Sequence, residues 1–364
     1  MQGFDPNAKV IPDFSLTPFY EITADQYAGM KPGEIIKVEA IPAPDGAQAW
    51  RVMYVSRTWD DRLVPVTGWI AAPKGAGDGA RPILSWNHGT TGGNRRAAPS
   101  LAENPAQNLR QRDEGFPIDF GVPFLTDFLA QGYIVTATDY YGLGGPGVHH
   151  YVVGGTGGRN SLDIARAAQN LKGMNAGGDL VAIGWSQGGH AAIFTGEEQV
   201  SYAPEFNLRG VVAIAPGATD IPLVNIPHLY VIARAYQDAF NVPLDMFTDS
   251  GKALIARAGE VSITGIFAES LKLPKPFFGA EWSPAMKKAL EFNTPGQRKG
   301  AAPILVVQGT ADNLVHPAET RKLLARAQQS GNDISVSWYD AKDHRTVIPA
   351  AQPEILDWIN ARLK

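Results

Sequence analysis

Cysteine is absent from this sequence of 364 residues. Its absence excludes disulfide bonds, thiol catalysis and zinc sites built on thiolates, while leaving the cellular compartment open. No apolar run approaches the ~20 residues that a transmembrane helix needs. Charged residues form only 19% of the chain, and a net charge of −4 provides no basic surface for a nucleic acid. We therefore expect neither nucleic-acid binding nor a membrane span.

Glycine and proline, by contrast, are abundant, with 39 and 27 residues, and 44% of the chain is hydrophobic. This composition indicates a loop-rich globular protein with a sizeable core, built as one large domain with an insertion or as two ordinary domains. Residues 1–6 lack the basic region and hydrophobic segment of a signal peptide. The localisation stays open between a cytoplasmic start and the trimmed remainder of a secreted precursor.

The most informative motif is the pentapeptide G-x-S-x-G at 184–188, which follows an apolar run at 180–183. The residues after it can begin a helix, and a strand, a sharp turn and a helix together expose a serine as a nucleophile. Glycines suit the turn because its backbone is strained and flanking side chains would collide with neighbouring elements. The motif predicts Ser186 as a nucleophile; the alternative is a purely structural turn.

A serine nucleophile needs a base, and the base needs an orienting acid. Asp312 lies just beyond a predicted buried strand at 303–308, and His344 follows a predicted strand at 334–339. The chain order serine, aspartate, histidine is that of α/β-hydrolases. Asp312 could instead cap the next helix, and His344 could be an ordinary loop histidine. Three suitable residue types after three predicted strands favour a catalytic triad.

Among the other histidines, His316 is the rival for the role of base, because it lies close to Asp312 in sequence. It precedes the last predicted strand, however, where a base would be out of order. We predict that His316 is a helix cap or a supporting group. His88, at the end of an earlier strand, is expected to hold its loop by hydrogen bonding.

Two further patterns resemble binding motifs for a cofactor or a metal, but we predict that neither binds one. Residues 142–147 satisfy G-x-G-x-x-G, but Pro146 removes a donor and the following residues do not open a helix, so the dinucleotide context is missing. His149 and His150 are a poor metal pair, since no third ligand stands at suitable spacing. We expect them to line the mouth of the site, and we predict no metal and no cofactor.

An oxyanion site needs backbone N–H donors aimed at the developing negative charge. Gln187, directly after the serine, supplies one such N–H at the start of its helix. The second is expected from the loop after the predicted strand at 82–87, with Thr90 favoured and Thr91 as the alternative. A plain glycine-rich turn is the other interpretation of this loop.

Strands that alternate with helices predict an α/β fold with a mostly parallel central sheet covered on both faces. We assign residues 1–34 to an N-terminal arm and residues 35–219 and 302–364 to the core. Residues 220–301 lack the alternation and are predicted to form an inserted helical cap, with a helix starting at Ser283. Within the core, Asn160 is predicted to cap a helix.

The predicted cap is rich in aromatic residues. Phe247 and Phe278 are our candidates for side chains that bind the substrate. The alternative is that these rings simply form the core of the cap.

Beyond the pentapeptide, several short motifs occur in one order along most of the chain, at residues 18–20, 31–33, 52–56, 66–68, 139–144, 161–163 and 166–168. With them the sequence resembles the secretory lipase family of α/β-hydrolases, the Candida antarctica lipase A type. The resemblance implies hydrolysis of carboxylic esters, sometimes with acyl transfer, and places the triad on Ser186, Asp312 and His344.

We therefore expect a serine esterase or lipase whose partner is a small ester with an apolar acyl group. The alternatives are a serine peptidase, an acyltransferase, or a hydrolase-fold binding protein without turnover. The sequence leaves the acyl chain length, the alcohol and the oligomeric state open.

Overall fold

The computed structural model describes residues 14–75, 79–109, 121–217, 226–279 and 281–363. The first part of the predicted arm and the predicted start of the cap at residue 220 lie outside these ranges. Within them, nine strands form one sheet, with helices packed on both of its faces. The predicted α/β architecture is confirmed.

The sheet order is β1-β2-β3-β5-β4-β6-β7-β8-β9. The strands are β1 (Ile35–Ile41), β2 (Ala47–Arg57), β3 (Leu63–Pro73), β4 (Arg81–Asn87), β5 (Ile134–Thr138), β6 (Ala176–Trp185), β7 (Asn207–Ile214), β8 (Ile304–Gly309) and β9 (Ile334–Tyr339). Pairs among β1, β2, β3 and β5 are antiparallel, and all pairs from β5 to β9 are parallel. The carboxyl ends of the parallel strands therefore meet at one edge of the sheet.

The helices fall into two groups, those that cover the sheet and those that lie between β7 and β8. The first group is α1 (Leu125–Ala130), α2 (Gly154–Asn170), α3 (Gln187–Tyr202), α8 (Pro317–Gln329), α9 (Val347–Ala350) and α10 (Gln352–Leu363). The second group is α4 (Ile226–Phe240), α5 (Asp249–Arg257), α6 (Ile263–Ser270) and α7 (Pro284–Phe292). Short 3-10 turns lie at Pro18–Tyr20, Ala24–Gln26, Arg95–Ala97 and Pro99–Leu101.

Strand β6 shows how the sheet builds two cores. Leu180 and Ala182 pack into the cluster that contains residues of α2, α3 and α8. Val181 and Ile183 pack into the opposite cluster, with residues of α1, α9 and α10. Alternate residues of a strand point to opposite faces, so a continuous apolar run fits a strand that is buried on both sides.

The prediction that Asn160 caps a helix is wrong, because α2 begins six residues earlier, at Gly154. Asn160 is buried inside the helix, where its Nδ2 donates to Ser56 Oγ at 2.8 Å and its Oδ1 accepts from the backbone N–H of Tyr141 at 2.9 Å. The early turns are rich in glycine because a Cβ on Gly158 would lie 2.7 Å from the backbone of Phe194 in α3. Close packing of two helices thus overrides poor helix propensity.

Helices α4 to α7 share a hydrophobic cluster of their own, together with Tyr151 and Val153 of the core. The predicted helix start is confirmed, since Ser283 Oγ accepts from the backbone N–H of Met286 at 3.1 Å. The division of the chain into arm, core and cap stays a prediction. For brevity, we call α4–α7 the roof.

Side-chain hydrogen bonds attach the roof to the core. Asn293, at the end of α7, accepts from the backbone N–H of Gly154 through Oδ1 at 2.8 Å, and its carbonyl lies 2.8 Å from His190 Nε2. Asp238, in α4, lies 3.2 Å from His150 Nε2. These contacts join the roof to α2, to α3 and to the loop before α2.

Candidate active site

Ser186 stands between the end of β6 and the start of α3, in a strained backbone conformation. Its φ is 59° and its ψ is −118°, a positive φ that is uncommon for a residue with a side chain. The backbone N–H of Ser186 donates to the carbonyl of Ile214 at 2.9 Å, and its own carbonyl accepts from Gly217 at 2.8 Å. Bonds on both sides hold the turn and present the serine at the carboxyl edge of the sheet.

The flanking glycines are required by close approach. A Cβ on Gly188 would lie 1.8 Å from the carbonyl oxygen of Asn87, and a Cβ on Gly184 would lie 2.0 Å from that of Gly188. Neither position has room for a side chain. The steric explanation that the pentapeptide suggested is therefore confirmed.

The structure brings the predicted acid and base together. Strands β8 and β9 are parallel neighbours, so the loops that follow them lie side by side. His344 Nδ1 donates to Asp312 Oδ2 at 2.7 Å, and both side chains are buried. This bond fixes the proton on Nδ1 and leaves Nε2 as the nitrogen that is available as a base.

Further hydrogen bonds hold the carboxylate of Asp312 in place. Oδ1 accepts from the backbone N–H groups of Leu314 at 2.9 Å and Val315 at 2.8 Å. Oδ2 also accepts from Gln308 Nε2 at 3.1 Å, and Gln308 is itself oriented by a 2.7 Å bond from Thr320. These bonds and the bond from His344 fix the orientation of the side chain through both of its oxygens.

The sequence reasoning missed two supporting residues. Gln308 is the one amide in the apolar run of β8, and that polar interruption was the signal that could have identified it. Trp185, in the second position of the pentapeptide, donates from Nε1 to the carbonyl of His344 at 2.9 Å. Trp185 thus links the turn that carries the serine to the loop that carries the histidine.

The rival residues are engaged elsewhere. Asp340 accepts from Thr310, and Asp343 Oδ1 accepts from the backbone N–H groups of Arg345 and Thr346, at 2.9 and 2.8 Å. His316 is exposed at the start of α8, where its side chain makes no capping bond. The geometry therefore favours Asp312 and His344 as the pair.

Gln187 is held by its side chain as well as by its place in α3. Its Nε2 donates to His149 Nε2 at 3.0 Å, and His149 Nδ1 donates to the carbonyl of Tyr141 at 2.9 Å. Burial lowers the pKa of His149 to about 3, so the ring is neutral and can accept this bond. His149 and His150 are both buried, and His150 lines a small cavity together with Gln187 and His190. The expectation that the two histidines line the mouth of the site stays a prediction.

The loop after β4 carries Thr90, whose hydroxyl lies 2.7 Å from that of Tyr151. The backbone carbonyl of the next residue, Thr91, accepts a hydrogen bond from the backbone N–H of Ile263 in the roof at 3.3 Å. His88 holds the start of this loop, with Nδ1 2.6 Å from the carbonyl of Gly89, as predicted. The roles of Gln187 and Thr90 as oxyanion donors stay predictions.

Phe247 and Phe278 contact each other in the roof, with ring centroids 5.7 Å apart. Phe247 is buried and also lies near Tyr230, and Phe278 packs against Trp282. Both rings thus have a packing role, and their contact with a substrate stays a prediction.

Over the ranges that the structure describes, no group of three or more metal-binding side chains comes together. Across the same residues, no helix combines the length and the apolar character that crossing a membrane requires.

Two family models match different parts of this chain. The secretory lipase model matches residues 109–225, and the prolyl oligopeptidase family model matches residues 248–364. The first range contains Ser186, and the second contains Asp312 and His344. A comparison with curated protein sequences gives no significant match.

Among solved structures, the chain is similar to Candida antarctica lipase A in its closed state, with a TM-score of 0.75 and 18% identity over 97% of this chain and 87% of that one. This chain has the α/β-hydrolase fold. The rice cell wall degrading esterase LipA from Xanthomonas oryzae gives a TM-score of 0.68 and 18% identity, covering 92% of this chain and 98% of the esterase. The predicted resemblance to secretory lipases is confirmed, and the matches support a serine hydrolase of this fold.

Proposed function

We propose that this α/β-hydrolase cleaves carboxylic esters through a triad of Ser186, His344 and Asp312. The observation that carries the proposal is the 2.7 Å bond between His344 Nδ1 and Asp312 Oδ2, at the edge of the sheet where the strained Ser186 also lies. The lipase and esterase neighbours supply the substrate class. The secretory lipase match favours a location outside the cytoplasm.

In the first half of the reaction, Ser186 Oγ attacks the ester carbonyl carbon, and its proton passes to His344 Nε2. The carboxylate of Asp312 stabilises the imidazolium that forms. The carbonyl oxygen becomes an oxyanion, which accepts hydrogen bonds from the backbone N–H groups of Gln187 and Thr90. Collapse of the intermediate breaks the bond to the alcohol oxygen, which takes the proton from His344 and leaves an acyl-enzyme.

In the second half, water replaces the alcohol. His344 accepts a proton from the water as its oxygen attacks the acyl carbon, and the proton then returns to Ser186 as the acid departs. An alcohol in place of water would give acyl transfer by the same steps. No cofactor enters either half.

The direct test is Ser186→Ala, assayed with nitrophenyl esters of increasing chain length. The variant should lose turnover by about 10³-fold or more, because the covalent intermediate can no longer form. Ser201→Ala, at an exposed position near the end of α3, is the matched control and should keep full activity. Residual activity of Ser186→Ala within about tenfold of the parent, in a folded and clean preparation, would contradict the proposal.

Peptide hydrolysis is the second candidate, because the prolyl oligopeptidase model matches residues 248–364. The same triad chemistry cleaves amides. A peptide anilide assayed beside the esters separates the two functions, and we expect the esters to be cleaved with the higher specificity constant. A folded protein that binds esters without turnover and does not react with a serine-directed phosphonate would instead be a binding protein.

A further inference from the structure

In the roof, the side chain of His228 has an incomplete set of hydrogen bonds. His228 lies in the first turn of α4, and its Nδ1 is buried without a hydrogen-bond partner among the described residues. A buried polar atom that lacks a partner is costly, and such atoms occur where a ligand completes the bonding. His228 therefore points to a group supplied by the substrate.

A ring contact and an electrostatic interaction locate His228 relative to the proposed chemistry. Its ring centroid lies 6.3 Å from that of Tyr151, the residue whose hydroxyl contacts Thr90. Burial, helped by the neighbouring charge of His344, lowers the pKa of His228 to about 4. His228 thus lies within electrostatic reach of His344 and beside the partner of the oxyanion loop.

In the proposed mechanism, on which this inference rests, His344 delivers its proton to the oxygen of the leaving alcohol. The alcohol part of the ester must therefore lie against the ring of His344. A substituent a few bonds beyond that oxygen extends past His344 towards its neighbours, and His228 is one whose ring interacts electrostatically with that of His344.

We infer that His228 Nδ1 binds a hydroxyl group on the alcohol part of the substrate, so that the preferred substrates are esters of alcohols with a second hydroxyl, such as monoesters of diols and triols. At neutral pH the ring of His228 is uncharged, and its Nδ1 either donates or accepts according to tautomer. A hydroxyl can serve as acceptor or donor, so it satisfies Nδ1 in both cases. A carboxylate only accepts and an ammonium only donates, so neither matches both forms.

The test compares two butyrate esters of nearly equal size, 2-hydroxyethyl butyrate and propyl butyrate, in which a hydroxyl replaces a methyl group. The readout is the ratio of their kcat/KM values, so a general loss of activity cancels. His228→Phe keeps a ring and removes Nδ1. His228→Asn places an amide nitrogen close to the position of Nδ1 and serves as the rescue variant.

We expect the ratio for the parent protein to exceed that of His228→Phe by about threefold to tenfold, the range of a neutral hydrogen bond. His228→Asn should recover a good part of the difference. Comparison between variants also removes the small difference in leaving-group acidity between the two esters.

Equal ratios in the parent and in His228→Phe would overturn the inference while leaving ester hydrolysis intact. If His228→Phe does not fold, the ratio of His228→Gln, which moves the amide away from Nδ1, is compared with that of His228→Asn. Equal ratios in these two variants would overturn the inference in the same way. Absence of Ser186-dependent hydrolysis of both esters would instead contradict the proposed function.

Discussion

The floor and the roof of the candidate site are built differently. The floor, which consists of Ser186, Asp312 and His344 at the carboxyl ends of the strands, is tightly constrained. Gly184 and Gly188 leave no space at the turn, and both oxygens of Asp312 are occupied. The roof, α4–α7, is a cluster of aromatic and aliphatic side chains with His228 incompletely bonded above the floor.

This difference indicates that the floor and the roof have separate functions. A floor whose groups are already oriented suits chemistry, because reacting groups that are preorganised need no rearrangement in the transition state. A roof of apolar rings in which a polar atom such as His228 Nδ1 lacks a partner suits selection among substrates. Changes in the floor should therefore alter the rate for all substrates, and changes in the roof should alter the choice between them.

The largest effect is expected at His344. His344→Ala removes the base from the floor and should lower kcat by about 10³-fold or more for every ester, because the serine can no longer be deprotonated. His316→Ala, at an exposed histidine near Asp312 in sequence, is the matched control and should stay within about threefold of the parent. If His316→Ala lost more activity than His344→Ala, His316 would have to be the base.

A smaller loss is expected at Asp312. Asp312→Asn keeps the shape of the side chain but removes the charge that faces the imidazolium, and kcat should fall by about 10²- to 10⁴-fold. Asp343→Asn is the control in the neighbouring loop, since an amide oxygen can still accept the bonds from Arg345 and Thr346. An unchanged rate in Asp312→Asn would place the acid elsewhere.

In the roof, the expected effect is selective. Each well-buried methylene of the acyl group should add up to ~0.8 kcal/mol, about a fourfold gain in kcat/KM per carbon, until the pocket ends. Phe278→Ala should move that cutoff to longer chains without abolishing turnover. Phe292→Ala removes a ring that is 55% exposed and is the control that should leave the cutoff in place.

A flat profile from acetate to decanoate would contradict this role of the roof. A Phe278→Ala variant that changes kcat/KM equally for esters of every chain length would also contradict it, because an equal change is what we expect from substitutions in the floor.

The fold was largely predictable because local patterns determine it. The run at 334–339 has the bounds of β9, and α7 begins directly after Ser283, where a helix start was predicted. The start of α2 was missed, since its glycines are explained by contact with α3, a partner that is distant in sequence. Helix propensity depends on a residue and its neighbours in sequence, whereas the start of α2 is determined by packing against another helix.

In the candidate site, too, some features could be predicted from local sequence patterns and others could not. The positions of Ser186, Asp312 and His344 could be predicted, because each follows a recognisable strand and the fold brings strand ends together. Their catalytic roles stay predictions. Gln308 left a signal in the polar interruption of β8, whereas the contacts of Trp185 and His228 could not be predicted, since they join segments far apart in the chain. His149 shows the same limit, because its bonds to Gln187 and Tyr141 become visible only in the folded structure.

The central claim is that Ser186 is a nucleophile activated by the floor. The most direct measurement is the rate and site of modification by a serine-directed fluorophosphonate, followed by intact mass and by peptide mapping. We predict one adduct per chain, located on Ser186, absent in Ser186→Ala and formed at least about a hundredfold more slowly in His344→Ala. An adduct on another serine, or labelling of Ser186 at an unchanged rate without His344, would contradict the account.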